Sequence, residues 1–314
     1  MSKNQEPPLA LAVGYHLRAQ PLWDGRVGVE GFDLKATYFK NDGERHEQFL
    51  GGKFDAAEFS LALYILLKSR GEPLEAIPVF PNRKFRHAYI FAREDSPLSD
   101  PRELKGKKVG IPSWLNTCGL WVRGILHDEY GVKNEDIQWQ AMRSEVPLNP
   151  PSGTQIERVS GNAKLPARLL SGELDAIIVP DFPEESGIRR LFHDSKKVEQ
   201  ESYRRTQIFP TSHAVVIRRS YLDKNPDVAP ALFRAWCEAR NLALEDDEDA
   251  TFSNFAWVRQ AWEEQRAVMG SNPWRFGIKG NEKTLEAQIR YAGEQGLLAR
   301  KIGIEDLYIR MDEV

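Results

Sequence analysis

The sequence predicts an α/β fold in two lobes with a ligand cleft between them, on three observations. Apolar strand-like runs alternate with helical patterns through the first two thirds of the chain, an order that implies mostly parallel sheets. The length of 314 residues suits two domains of roughly 100–200 residues each. Two segments, near 93–100 and 203–208, read as crossings between lobes. One domain is then 93–207, and the other joins 1–92 to 208–314. A cleft between lobes is a frequent ligand site.

The elements follow in order. LALAV (9–13) is a buried strand, and FDLKATYF (32–39) alternates like a half-buried one. A helix over 43–51 stops at Gly51-Gly52, and FDAAEF is a short strand. Ser60 caps a helix with apolar residues at Leu61, Tyr64, Ile65 and Leu67, ended by Gly71. EAIPVF and HAYIFA are strands joined by the cationic stretch NRKFR. KGKKVGIP (105–112) is a strand leading into a helix that starts near Ser113–Thr117 and ends near Gly131. IQWQAM is a strand, and the Pro- and Gly-rich 146–163 reads as a long loop or lid. LPARLLSGE is a helix, LDAIIVP a strand, RRLF and a polar segment lead to Tyr203, and IFPTSHAVVIRR returns as a strand. From 227 onward the spacing is mostly helical, with EDDED (245–249) a solvated face or loop.

Composition narrows the function. Hydrophobic residues make up 41% and charged residues 28%, a soluble globular mix, and the net charge of −3 argues against a general grip on nucleic acid. No apolar run of about 18 residues predicts a membrane span. The start, MSKNQEPPLALAVGY, is a poor secretion signal, so a cytoplasmic location is expected. Cys118 and Cys237 are expected as free thiols ahead of a disulfide. No Cys/His spacing suggests a metal.

Charge then singles out the crossings. VFPNRKFRH (79–87) places Arg83, Arg86 and His87 before the first; Arg205, Thr211 and His213 flank the second. Their convergence would make an anion site, since arginine grips a carboxylate with two parallel hydrogen bonds; surface ion pairs are the plainer alternative. GIPSWLNTCG (110–119) puts Ser113, Asn116 and Thr117 at a helix start, where free N–H groups and the dipole attract anions. Capping by Ser113 is the plainer role. Glu58 and Ser60 end a strand, where ligands gather in open α/β sheets. Glu58 would serve as a base, or pair with the arginines in a buried salt bridge. Phe80, Phe85, Trp114, Trp121 and Phe209 form a wall or plain core. Cys118 at the helix start is a weaker candidate nucleophile.

Together these stretches carry a resemblance over nearly the whole chain. PLWDGRVGVEGFDL, FDAAEFSLALYILLKSRGE, AIPVFPNRKFRHAYIFA, DPRELKGKKVGIP, LWVRGILHDEYGV, SGELDAIIVP, YRRTQIFPTSHAVVIRR and WRFGIKGNEKTLEAQIRYAGEQGL resemble the 4,5-dihydroxyphthalate decarboxylase family. That family is a branch of the type II periplasmic-binding-protein-like fold. The chain departs from the pattern at 113–117 and 207–212, which leaves the substrate open.

The resemblance implies cofactor-free removal of CO₂ from a hydroxylated aromatic acid. Arg83, Arg86 and the 113–117 helix start would cradle the remaining carboxylate, with Ser60, Arg205 and Thr211 completing the binding set. His87 or His213 would protonate the ring carbon, and Glu58 or the other histidine would take the phenol proton. The partner is then a small aromatic carboxylate, and a homo-oligomer stays open. The competing expectation is a non-catalytic solute-binding protein of the ABC-transporter type.

Overall fold

The computed structural model describes residues 6–143, 149–159, 164–248, 251 and 253–313. Its strands are β1 (Pro8–Gly14), β2 (Asp33–Phe39), β3 (Ala56–Ser60), β4 (Leu74–Ile77), β5 (Ile90–Arg93), β6 (Lys108–Ile111), β7 (Gln138–Ala141), β8 (Gln155–Arg158), β9 (Ala176–Ile178), β10 (Ile188–Arg190) and β11 (His213–Arg218). The chain divides into two compact units. The first holds the chain up to Arg83, His213–Glu282 and the chain from Gly303 on; the second holds Lys84–Ser212 and Lys283–Ile302.

The first unit is built on a sheet in the order β2-β1-β3-β11-β4. β1 is flanked on both sides, so its near-continuous apolar run is buried: Leu9, Leu11, Ala12 and Val13 are fully covered. β2 lies at the edge: Leu34 and Ala36 on its alternating apolar face are half-buried, and Phe39, off that face, is its buried residue. β1 pairs in parallel with β2 and β3, while β11 runs antiparallel to β3 and β4. Gly14 aligns with Phe39 and His213 with Ser60, so one edge of the sheet gathers the ends of β1 and β3 and the start of β11. Ser60 holds the N-cap position of the helix Leu61–Ser69, but its side chain makes no capping hydrogen bond.

The second unit carries a sheet in the order β10-β5-β9-β6-β7-β8. β6 is parallel to β7 and β9; β5 is antiparallel to β9 and β10. Phe91, Leu165, Leu169, Leu174 and Ile177 form a core cluster on it. Gly110 makes that packing close. A Cβ there would lie 2.6 Å from Leu174 and 2.7 Å from Leu165.

The sheets are therefore mixed, where the sequence predicts mostly parallel ones. The antiparallel arrivals are β5 and β11, each the first strand after the chain enters its unit. A strand arriving from elsewhere is not constrained by the helix crossover that enforces parallel pairing within one sheet.

The crossings also differ from the expected 92/93 and 207/208. The polar stretch 93–104 lies within the second unit, where Asp100 caps a short 3-10 turn at Pro101–Leu104. Its polarity marks an exposed turn, not a junction. Residues 283–302 join the second unit because Trp114 Nε1 donates to the Gln295 carbonyl at 2.9 Å and Arg123 Nε to Gln295 Oε1 at 2.7 Å.

Smaller differences follow local chemistry. HAYIFA splits into a 3-10 turn, His87–Tyr89, and β5. The helix after β6 spans Thr117–Tyr130 and is capped by Asn116, whose side chain accepts the Gly119 N–H, and not by Ser113. It ends as expected at Gly131, which adopts the left-handed φ of 63°. The polar segment before Tyr203 is a helix, Ser195–Thr206. The C-terminal third is helical at Val228–Glu248, Val258–Met269 and Glu282–Glu294. The part of the 146–163 lid beyond 149–159, and Asp249 of the acidic run, lie outside the described residues.

Candidate functional site

In the first unit, polar side chains gather at the sheet edge that holds Gly14, Ser60 and His213. Glu58, on β3, is fully buried. Its Oε2 accepts the Gly14 N–H at 2.8 Å and lies 2.9 Å from His16 Nε2; its Oε1 lies 2.7 Å from His213 Nδ1. Arg45, also fully buried, donates through Nε to the Glu58 carbonyl at 2.8 Å and pairs with Asp42 at 2.8 Å. His213 Nε2 is 3.6 Å from Asp42 Oδ2. Asp42, Arg45 and His46 share one face of the helix Asp42–Leu50, because their spacing is i, i+3, i+4. Gly14 is required here, since a Cβ would fall 2.9 Å from Glu58 Oε2.

Burial pushes the Glu58 carboxyl up, but the His16 and Arg45 charges and the hydrogen bonds from His16 and His213 outweigh it. They hold it well below the usual carboxylate range. A carboxylate so held is a weak base and a strong orienting group. When His213 Nδ1 carries a hydrogen it donates to this carboxylate, and Nε2, 3.6 Å from Asp42 Oδ2, is then the nitrogen that can exchange a proton. The expectation of Glu58 as the phenol base is revised accordingly: its oxygens are already taken by donors.

His46 completes the group. Its ring meets the His213 ring edge-on at 5.6 Å, and its Nε2 accepts the Ser60 N–H at 3.2 Å. Burial pushes His46 down to about 3, with His213 and Arg45 adding to the effect against Asp42 and Glu58. The folded value is depressed, so the unfolded chain takes up a proton first as pH falls. Stability linked to this group is full above about 6.5 and erodes toward about 3. Thermal melts across that window are expected to show a shallower acid slope in His46→Gln than in the parent chain. Equal slopes would refute it.

In the second unit, segments 84–86 and 210–212 run side by side. Lys84 N–H donates to the Pro210 carbonyl at 3.1 Å, and Arg86 Nη2 donates to Ser212 Oγ. In the first unit the same two chain segments continue together, Val215 N–H donating to the Val79 carbonyl at 3.2 Å. Arg86 is 3% exposed and packs over the Tyr89 ring. Its Nε and Nη1 are buried and have no hydrogen-bond partner among the described residues. Buried guanidinium donors are normally paired. The Cys118 thiol lies beside this guanidinium, at the start of the helix Thr117–Tyr130. The arrangement combines two unmet cationic donors with a helix N-terminus, which suits a carboxylate or a similar anion.

The other expected residues take different places. Arg83 donates to Asn281 Oδ1 at 2.6 Å and to the Arg275 carbonyl at 3.1 Å. Thr211 is fully buried and donates to Gln288 Oε1 at 2.6 Å. Asn116 is spent on its cap, while Ser113 and Thr117 are buried at the helix start. Arg205 is mostly exposed and pairs with Glu129 at 2.6 Å. His87 lies 3.4 Å from Glu129 in the second unit, so the structure assigns it and His213 to separate groups. Trp114, Trp121 and Phe80 are core residues, and Phe85 stacks on Phe209 at 4.8 Å. Both cysteines are free, and burial pushes the Cys118 thiol up, which disfavours a nucleophilic role. Among the described residues no His/Cys/Asp/Glu group has the arrangement of a metal site.

His16, Asp42, Arg45, His46 and Ser212 escape the sequence reading. The spacing Asp42–Arg45–His46 was a usable signal, since it puts a carboxylate, a guanidinium and an imidazole on one helix face. His16 and Ser212 carry no local signature.

Comparison with known proteins agrees on the architecture. The family described as "ABC transporter, phosphonate, periplasmic substrate-binding protein" matches residues 26–220. A 4,5-dihydroxyphthalate decarboxylase of Comamonas testosteroni is 31% identical over 325 residues, covering 98% of this chain and 97% of the relative. A 4,5-dihydroxyphthalate decarboxylase of Pseudomonas putida is 32% identical over 211 residues, covering 62% and 81%. The periplasmic aliphatic sulphonate binding protein SsuA from Escherichia coli shares the fold with a TM-score of 0.56 at 17% identity, over 97% of this chain and 98% of that one.

Proposed function

The chain belongs to the 4,5-dihydroxyphthalate decarboxylase family, on a periplasmic-binding-protein fold, and we propose that it removes CO₂ from a hydroxylated aromatic acid. The observation that carries the proposal is the buried pair Glu58–His213, 2.7 Å apart, with the Nε2 edge of the imidazole left to exchange a proton. Two further facts support it. The relatives bear the name of such an enzyme. And Asp42 and Arg45, on one helix face of the same unit, flank this pair.

The reaction is hard because loss of CO₂ from the intact ring strands an electron pair in the ring plane. A hydroxyl para to the carboxylate feeds electron density to the carbon that bears it. His213, protonated, gives its Nε2 proton to that carbon. The C–CO₂ bond then breaks, its electron pair restores the aromatic ring, and solvent reprotonates His213. Glu58 holds the imidazole in the required orientation. Separately, in the second unit, Arg86 offers Nε and Nη1 to a carboxylate.

Arg86→Ala is expected to raise KM for an aromatic dicarboxylate by roughly 10- to 100-fold, the loss of one or two charge-assisted hydrogen bonds. Arg86→Lys would recover little, because an ammonium lacks the planar fork. Steady-state kinetics on a chain of unchanged melting temperature decides it, and an unaltered KM removes Arg86 from the substrate's path.

The direct test of function is incubation of the pure protein with 4,5-dihydroxyphthalate and other hydroxylated phthalates, with CO₂ measured as released. A second reading, solute capture without chemistry, is favoured by the substrate-binding family match and the sulphonate-binding fold relative. Saturable binding of the same acids with no CO₂ would select it.

A further inference from the structure

A cavity of about 340 Å³ is lined wholly by residues of the second unit, and Arg86, Glu58 and His213 are not among them. Its volume falls in the range of small-molecule pockets. Phe85, Trp121 and Tyr291 give it aromatic walls, and Ile125 and Ile208 add aliphatic ones.

Its polar side is already neutralised. Glu129 accepts from Ser202 Oγ at 2.8 Å and from Arg205 Nη2 at 2.6 Å. Asp128 accepts from Arg290 and from the Tyr291 hydroxyl at 2.7 Å. Burial pushes both carboxyls up, but these partners, together with His87 beside Glu129 and His127 beside Asp128, hold them below the usual range. With each carboxylate already paired to an arginine, neither partner of these ion pairs is left to hold a charged ligand.

One group stays unmet. His87 lines the cavity and is 2% exposed, with Nε2 3.4 Å from Glu129 Oε2. When the ring is neutral, the Glu129 carboxylate accepts the Nε2 hydrogen and the lone pair is on Nδ1. That Nδ1 is buried and has no partner among the described residues. The ligand must then be flat, uncharged, and able to donate one hydrogen bond.

We propose that this cavity binds a small uncharged phenol, its ring against Phe85 and Trp121 and its hydroxyl donating to His87 Nδ1. The site thus selects against the carboxylates that Arg86 would take.

Calorimetric titration with phenol, catechol and benzoate tests it, each on the parent chain and on His87→Phe, Ile125→Trp and His213→Asn. Saturable phenol binding is expected in the parent chain, weakened about tenfold in His87→Phe for one lost hydrogen bond and abolished in Ile125→Trp, which fills the space. His213→Asn is expected to leave phenol binding unchanged, which separates this site from the proposed decarboxylation whatever the fate of that reading. Phenol binding that survives both cavity variants overturns the proposal. So does phenol binding lost in His213→Asn, or benzoate matching phenol in sensitivity to Ile125→Trp. If Ile125→Trp does not fold, phenol affinity unaltered in His87→Phe is sufficient to reject it.

Discussion

His213→Asn is expected to lower turnover of a hydroxylated aromatic acid by ~10²- to 10⁴-fold, the usual loss on removing a general acid. Asparagine can still donate to Glu58 Oε1, which His213 Nδ1 now meets at 2.7 Å, so the local structure is kept. What disappears is the exchangeable proton at Nε2. The loss should therefore fall on kcat, with KM little changed, because the residue expected to hold the substrate carboxylate is Arg86. This division separates a chemical role from a structural one. Loss of packing would lower the melting temperature and disturb both constants. Full turnover in the folded variant would exclude His213 as the proton donor.

Glu58→Ala is expected to destabilise the chain by roughly 3–5 kcal/mol, the cost of removing one partner from a buried ionic group. Arg45 is fully buried, and the Gly14 N–H and the His16 and His213 rings all meet this carboxylate. Alanine would leave these donors facing a void. At about 2–4 °C per kcal/mol for a domain of 150–250 residues, the melting temperature should fall by roughly 6–20 °C. Glu58→Gln keeps the shape and removes the charge, so a smaller loss is expected. The pH dependence adds a second readout. Glu58 is held below its ordinary 4.5 in the folded chain, so its stabilisation is present above that value and is lost as pH falls through the folded value. The glutamine variant should lack this part of the acid limb. Melting curves of the three chains that superimpose at neutral pH would show that the carboxylate contributes nothing.

Some of this was readable in order along the chain. The apolar run at 9–13 and the helix after Lys108–Ile111 stand where their patterns put them. The helix Ser195–Thr206 did not show, because SKKVEQESYRRT holds good helix formers but almost no apolar stripe. The antiparallel entry of β5 and β11 was also hidden. Strand direction depends on where the chain arrives from, and residue pattern does not carry that.

The sequence by itself determined the alternation of strands and helices, the family, and the choice of Glu58, Arg86 and His213 as residues of interest. These follow from local periodicity, from residue chemistry and from resemblance across the chain. Only the tertiary structure decided which charge meets which: Glu58 with His16, Arg45 and His213, His87 with Glu129, and Arg86 with Ser212. Partners here are separated by up to 155 residues. A long polar side chain has many candidate partners in an unfolded chain, and burial selects the few that can satisfy it once water is gone.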